Sequence, residues 1–174
     1  WTMSAQPDFH PLKKFQSSFN KFLIPDKKIG WYPFAIRLSR KIFNENNIDL
    51  IYSTSPPQTA HLIGRYLSIK YRKPWVADFR DPWDSFAITS IKKFSLFKDW
   101  EKSMERSVLK IAGQIIIAWP HIQKTFATQS EEIQKKTMLI HNGFDGEDFQ
   151  DINPKAFQKF TIIHTGTFYR NRNP

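Results

Sequence analysis

The chain has 174 residues, 40% hydrophobic and 24% charged, which is enough apolar material for a buried core. It has no cysteine, which excludes disulfides, thiol catalysis and cysteine-ligated zinc. Twenty-six Lys and Arg against sixteen Asp and Glu give a formal net charge of +10, which points towards polyanions (nucleic acid, anionic headgroups or phosphorylated small molecules) without choosing among them.

No apolar run approaches the roughly 20 residues that span a bilayer, and "WTMSAQPDFH" lacks the basic and apolar segments of a signal peptide. The stretch before Trp31 reads as a long connection without a clear strand. From Pro33 to Asn46, Phe34, Ile36, Leu38 and Ile42 recur among basic residues, the pattern of an amphipathic helix. "DLIYSTS" (Asp49 to Ser55) is a strand by length and composition, and Pro56 to Tyr71 is a second helix with Ala60, Ile63 and Leu67 on one side. "PWVADFR" (Pro74 to Arg80) is the next strand. A longer helix over part of Ile91 to Ile111 carries Phe94, Phe97, Trp100, Met104, Val108 and Ile111 as a core-packing stripe. "GQIIIAW" (Gly113 to Trp119), "TMLIHNG" (Thr137 to Gly143) and "FTIIHTG" (Phe160 to Gly166) complete the strands.

Strands alternating with helices of this length predict an α/β fold: a Rossmann-like parallel sheet with helices on both faces. Residues 1–150 form this domain, without a first strand and glycine-rich loop, and 151–174 open a second. The chain is expected to be a fragment, and the strand Phe160 to Gly166 to be loose, packed on the first domain or paired with another copy.

In such sheets ligands bind outside the carboxyl ends of the strands. After the first strand, Ser55 as N-cap, Pro56 as first helical residue and Gln58 three residues on make a capping box, with His61 one turn in. Such a helix start suits a phosphate or sugar hydroxyl, although capping alone also accounts for it. After the second strand, "ADFRDPW" places Asp78 and Arg80 on one side of the extended chain and stops at Pro82. Three charges there mean either a tight network or an open polar cleft. "HNGFD" predicts a turn, and in "HTGTFYRNR" Gly166 permits close approach to a ligand while Arg170 and Arg172 could hold phosphate. Phosphate-loop, dinucleotide, zinc-protease, nucleophile-elbow and EF-hand motifs are missing, and the five histidines lack metal-ligand spacing, so no metal is expected.

Taken in order, "IPDKKIGWYPFAI", "YSTSPPQTAHLIG", "PWVADFRDPW", "HNGFD" and "HTGTFY" resemble the amino-terminal half of group 1, or family 4, retaining glycosyltransferases of the GT-B fold. The resemblance implies an acceptor-side domain facing a donor domain, with Ser55, Pro56, His61, Asp78, Arg80 and Asp81 at the acceptor-side cleft. Gly166, Thr167 and Arg172 fall at the donor site, although relatives often carry arginine where Thr167 stands. Arg80 and Asp81 fall where many relatives place a histidine, or a histidine followed by aspartate. Arg80 stays protonated and cannot take over a base role, so the catalytic residues stay open, with Arg80 and Asp81 as candidates.

The implied partners are a nucleotide-sugar donor as substrate, with no cofactor, and a glycan or lipid-linked acceptor. A cytoplasmic enzyme peripheral on the inner face of the cell membrane is expected, with an anionic membrane surface as partner and no nucleic acid. The isolated fragment is expected to be inactive. The alternatives are a non-enzymatic basic α/β module binding nucleic acid or anionic membrane, or another GT-B enzyme such as an inverting transferase or a sugar-nucleotide epimerase.

Overall fold

A computed structural model describes residues 23–83, 95–150 and 156–165. A single 3-10 turn (Ile29–Trp31) leads into α1 (Tyr32–Glu45), which has Pro33 in its first turn, where a missing N–H costs nothing. There follow β1 (Ile51–Ser55), α2 (Thr59–Tyr71), β2 (Trp75–Phe79), α3 (Ser95–Ile111), β3 (Gln114–Ile117), α4 (Pro120–Ala127), α5 (Glu131–Lys135) and β4 (Thr137–Leu139). The short helices α4 and α5 lie in a stretch where the sequence pattern shows no helix.

The strands form one fully parallel sheet in chain order, β1-β2-β3-β4. Ser53 pairs with Ala77, Thr54 with Asp78, Asp78 with Ile116 and Ile116 with Met138. This is the parallel α/β architecture expected from the strand–helix alternation. Consecutive right-handed crossovers place successive helices on the same side of a sheet. The described helices accordingly share the face of Ile51, Ser53, Trp75, Ala77, Phe79, Ile115 and Ile117. Helix α2 sets the His61 ring 4.3 Å from Phe79, and α4 sets Phe126 edge-on to Phe79 at 5.1 Å. Val108 and Leu109 of α3 are fully buried. The other face carries Tyr52, Thr54, Asp78 and Met138. Helices were expected on both faces; among the described residues they lie on one.

The centre of the helix-covered face is a close contact between α2 and the sheet. Trp75 Nε1 donates to Ser53 Oγ at 2.9 Å, and Ser53 Oγ lies 2.8 Å from His61 Nδ1. Gly64 lets the helix approach: a Cβ there would stand 2.6 Å from Trp75 Nε1 and 3.0 Å from Ser53 Oγ.

The start of α2 differs from the capping box read in the sequence. The helix begins at Thr59, and its N-cap position, Gln58, makes no side-chain cap bond. Pro57 disfavours the helical region for the residue before it, so Pro56 cannot open the helix. Ser55 ends β1 with its Oγ buried and unbonded, and Gln58 Nε2 donates to the Trp83 carbonyl at 3.0 Å. The cap comes instead from Asp26, 33 residues upstream. Its Oδ2 accepts from Thr59 N at 2.7 Å and from Thr59 Oγ1 at 3.0 Å.

Two further expectations change. The stripe assigned to the third helix is buried only in part: Val108 is enclosed and Met104 packs against the core, while Trp100 and Ile111 are exposed. The described part of the fifth strand, Phe160 to Thr165, has no strand ladder and is exposed. Residues 143–174 separate as their own unit from 1–142. Phe94 and Gly166 lie outside the described residues.

Asp26→Ala is expected to lower stability by about 1–2 kcal/mol, since it strands two donors of the fully buried Thr59. Asp26→Asn, which keeps an acceptor, should retain most of it. The urea midpoint measures both. Gly64→Ala should cost roughly 1–3 kcal/mol through overpacking against Trp75, read in the same titration.

Candidate functional site

At its carboxyl edge the uncovered face of the sheet closes over one carboxylate. Asp78 stands near the end of β2 and is 1% exposed. The parallel register sets it beside Thr54 of β1, and the strand's period of two puts Arg80 on the same side. Asp78 Oδ2 accepts from Tyr52 Oη at 2.7 Å, Thr54 Oγ1 at 3.1 Å and Arg80 Nε at 2.8 Å. Oδ1 is buried without a hydrogen-bond partner.

Arg80 reaches out of this network. Its backbone N–H donates to the Ser55 carbonyl at 3.0 Å, which extends the β1–β2 ladder by one step. Its side chain is 45% exposed. Nη1 donates to Asn142 Oδ1, in the segment after β4. The guanidinium thus spans from β2 across the end of β3 to Asn142 of "HNGFD", where the turn read from the sequence is not formed: residues 141–145 have no assigned turn. Its bond to Asp78, then the charge of that carboxylate, raises the Arg80 pKa further above its ordinary value. Arg80 is therefore a permanent cation that donates hydrogen bonds.

Tyr52 adds a half-exposed aromatic ring whose hydroxyl is tied to Asp78. Partial burial, followed by the bond to Asp78, raises its phenol above the ordinary value. An apolar ring face, a guanidinium and an amide side by side can engage the carbon face and the hydroxyls of a polyol. Tyr52 and Arg80 both act as donors here, and neither is a base near neutral pH.

Among the described residues of the sequence-predicted set, the structure joins Asp78 and Arg80 through their side chains, and Ser55 meets Arg80 only through its backbone carbonyl. Ser55 and His61 lie on the opposite, helix-covered face. Pro56 is in the β1–α2 turn, and Asp81 is half-buried and takes no part in the network among the described residues. Gly166, Thr167, Arg170 and Arg172 lie outside the described residues. Tyr52, Thr54 and Asn142 are site residues that sequence reasoning missed. Tyr52 and Thr54 alternate with the buried positions of β1, a visible signal, but the register that sets them beside Asp78 is tertiary.

No group of three or more His, Cys, Asp and Glu that could hold a metal occurs among the described residues. No helix among them is long and apolar enough to cross a membrane. No protein-family model matches the chain, and no curated protein matches it.

His61 is a core residue with a measurable signature. Burial lowers its pKa from 6.5 to about 3, partly opposed by the charge of Asp78. The folded state therefore holds a neutral ring that takes up a proton on unfolding. That contribution to stability is complete above about pH 6.5 and falls with acidification towards pH 3, by at most roughly 1.4 kcal/mol per pH unit. Urea midpoints should drop between about pH 7 and pH 5, and His61→Gln should flatten this slope.

Proposed function

We propose that the chain is the acceptor-side part of a retaining glycosyltransferase that moves a sugar from a nucleotide-sugar to a glycan or lipid-linked acceptor. The observation that carries this reading is the meeting, at Arg80, of three segments that are distant in sequence. Strand β1, the end of β2 and the segment after β4 all contribute, at the carboxyl edge where parallel sheets bind ligands. These segments are also three of the five motifs that resemble the transferase family.

The chemistry of the group agrees with a polyhydroxylated acceptor. One carboxylate and one guanidinium cancel, so the edge has little net charge to attract a lone phosphate and many directed donors for hydroxyls. In this reading Arg80 holds acceptor oxygens and Asp78 holds Arg80 in place, so Arg80 is a positioning residue for the acceptor. Transfer then depends on alignment of acceptor and donor and on stabilisation of the departing diphosphate, to which Arg172 would contribute with Gly166 close to the diphosphate. The net charge of +10 fits an enzyme held peripherally at an anionic membrane surface where lipid-linked acceptors reside.

The test is donor-dependent transfer by the protein that contains this chain, with the anomeric configuration of the product determined by NMR. Retention is expected. Arg80→Ala should raise the acceptor KM by about tenfold or more while the donor KM changes little, as loss of a charged hydrogen-bond donor implies. Inverted product, or no donor-dependent transfer together with salt-sensitive DNA binding, would sink the reading.

A further inference from the structure

Helix α1 has more apolar surface than the fold covers. At 100° per residue, Tyr32, Ala35, Ile36, Ser39 and Phe43 share one side, and this side packs towards α2 and the core. Tyr32 meets Tyr66 edge-on at 6.3 Å, Phe43 stacks on Tyr71 at 3.9 Å, and Ala35 and Ile36 are buried. Adjacent to it, Trp31, Phe34, Leu38 and Ile42 fall within a second arc of roughly 80°. These four are 53%, 72%, 60% and 41% exposed. They include two of the largest apolar side chains, in a continuous row along three turns, far from the scattered single exposures of an ordinary surface.

We propose that this row is a membrane-docking surface that lies in the interface of an anionic lipid bilayer. Its surroundings select that occupant. Arg37 and Lys41 flank the row on the helix, and Lys27 and Lys28 stand exposed just before it, so the apolar row is bordered by cations. Glu45 falls within the same arc, three residues beyond Ile42, and approaches Lys41 at 3.9 Å, but both are exposed and such a pair is weak. Trp31 at the end of the row matches the headgroup-level position that tryptophan favours, and lysine and arginine beside an apolar face are the pattern of interfacial helices. A second copy of the chain is a poorer occupant, because facing rows would bring the same cations together between molecules of net charge +10.

The row is rigidly carried. Asp26, in the segment leading into α1, caps α2 at 2.7 Å, so the row is anchored to α2 at that end as well as by the packing of Tyr32 and Phe43 on Tyr66 and Tyr71. Insertion would therefore orient the whole sheet and not a tethered helix. This inference specifies the peripheral membrane placement proposed above and does not depend on sugar transfer.

Co-sedimentation with phosphatidylcholine vesicles and with mixed phosphatidylcholine–phosphatidylglycerol vesicles tests it. Binding is expected to the anionic vesicles and to be weak on the neutral ones. Phe34→Ser with Leu38→Ser should lower the partition coefficient by about tenfold or more, with the thermal midpoint unchanged because both side chains are exposed. Arg37→Gln and Lys41→Gln should each lower it by about fivefold. Wild-type binding to anionic vesicles that both sets of variants leave intact would overturn the proposal. So would absence of vesicle binding by the wild type, or a concentration-dependent dimer, seen by light scattering, that the Phe34/Leu38 variant abolishes. Transfer to a water-soluble acceptor analogue, assayed without vesicles, is a separate readout, so failure of docking and failure of the transferase reading are distinguishable.

Discussion

The carboxyl edge of the sheet depends on one buried oxygen. Asp78 Oδ2 gathers a phenol, a threonine hydroxyl and a guanidinium within 2.7–3.1 Å. A carboxylate at 1% exposure is costly unless charge and hydrogen bonds compensate it. Here the compensating groups come from both sides of the β1–β2 pairing. The same bonds that make the charge tolerable also hold Tyr52 and Arg80 in place. Arg80 is left with one end fixed in the sheet and the other reaching Asn142, half in solvent.

The opposite face of the same two strands is built in the same way, towards a different end. Ser53 stands next to Thr54 and Trp75 next to Val76, yet each points to the helices because side chains alternate along a strand. The Ser53 hydroxyl joins the Trp75 indole to the His61 ring, and Gly64 lets α2 close on them. This knot fixes the distance from helix to sheet, while Asp26 fixes where the helix starts. The β1–β2 register is thus held from above by core packing, and from below it determines which groups can reach Asp78. A change in that register by one residue would exchange the two faces and destroy both.

This division explains what was legible in the sequence. The four described strands and the three long helices follow from hydrophobic runs and spacing, and the parallel order follows from their alternation. Asp78 and Arg80 could be read as one group, because their relation is two residues along one strand. Tyr52 and Thr54 could not be assigned to it, since only the register between β1 and β2 supplies the contact. The capping box misled for a physical reason: Pro57 excludes a helical Pro56, and the actual cap, Asp26, is distant in sequence. The resemblance implies a cleft position for His61, whereas its ring is buried against Phe79 and Ser53 on the helix-covered face. In α1 the apolar spacing was correct and its meaning was incomplete, since periodicity alone cannot say how much of an apolar arc the rest of the chain will cover.

The charges separate in the same manner. At the sheet edge Asp78 and Arg80 balance, so the long-range field of the protein does not come from the site. It comes in part from surface cations, including those that border the bare row of α1. An electroneutral edge rich in directed donors discriminates by hydrogen-bond geometry, which works at contact distance. A basic, apolar-edged helix discriminates by charge and area, which act on a surface as a whole. The two requirements are compatible in a ligand whose hydroxylated part is separate from an anionic, lipid-like setting, and a small free anion satisfies neither. On the proposed reading, the size of the positive charge and the near neutrality of the site are not in conflict: the first would bring the protein to a surface, and the second would read what is presented there.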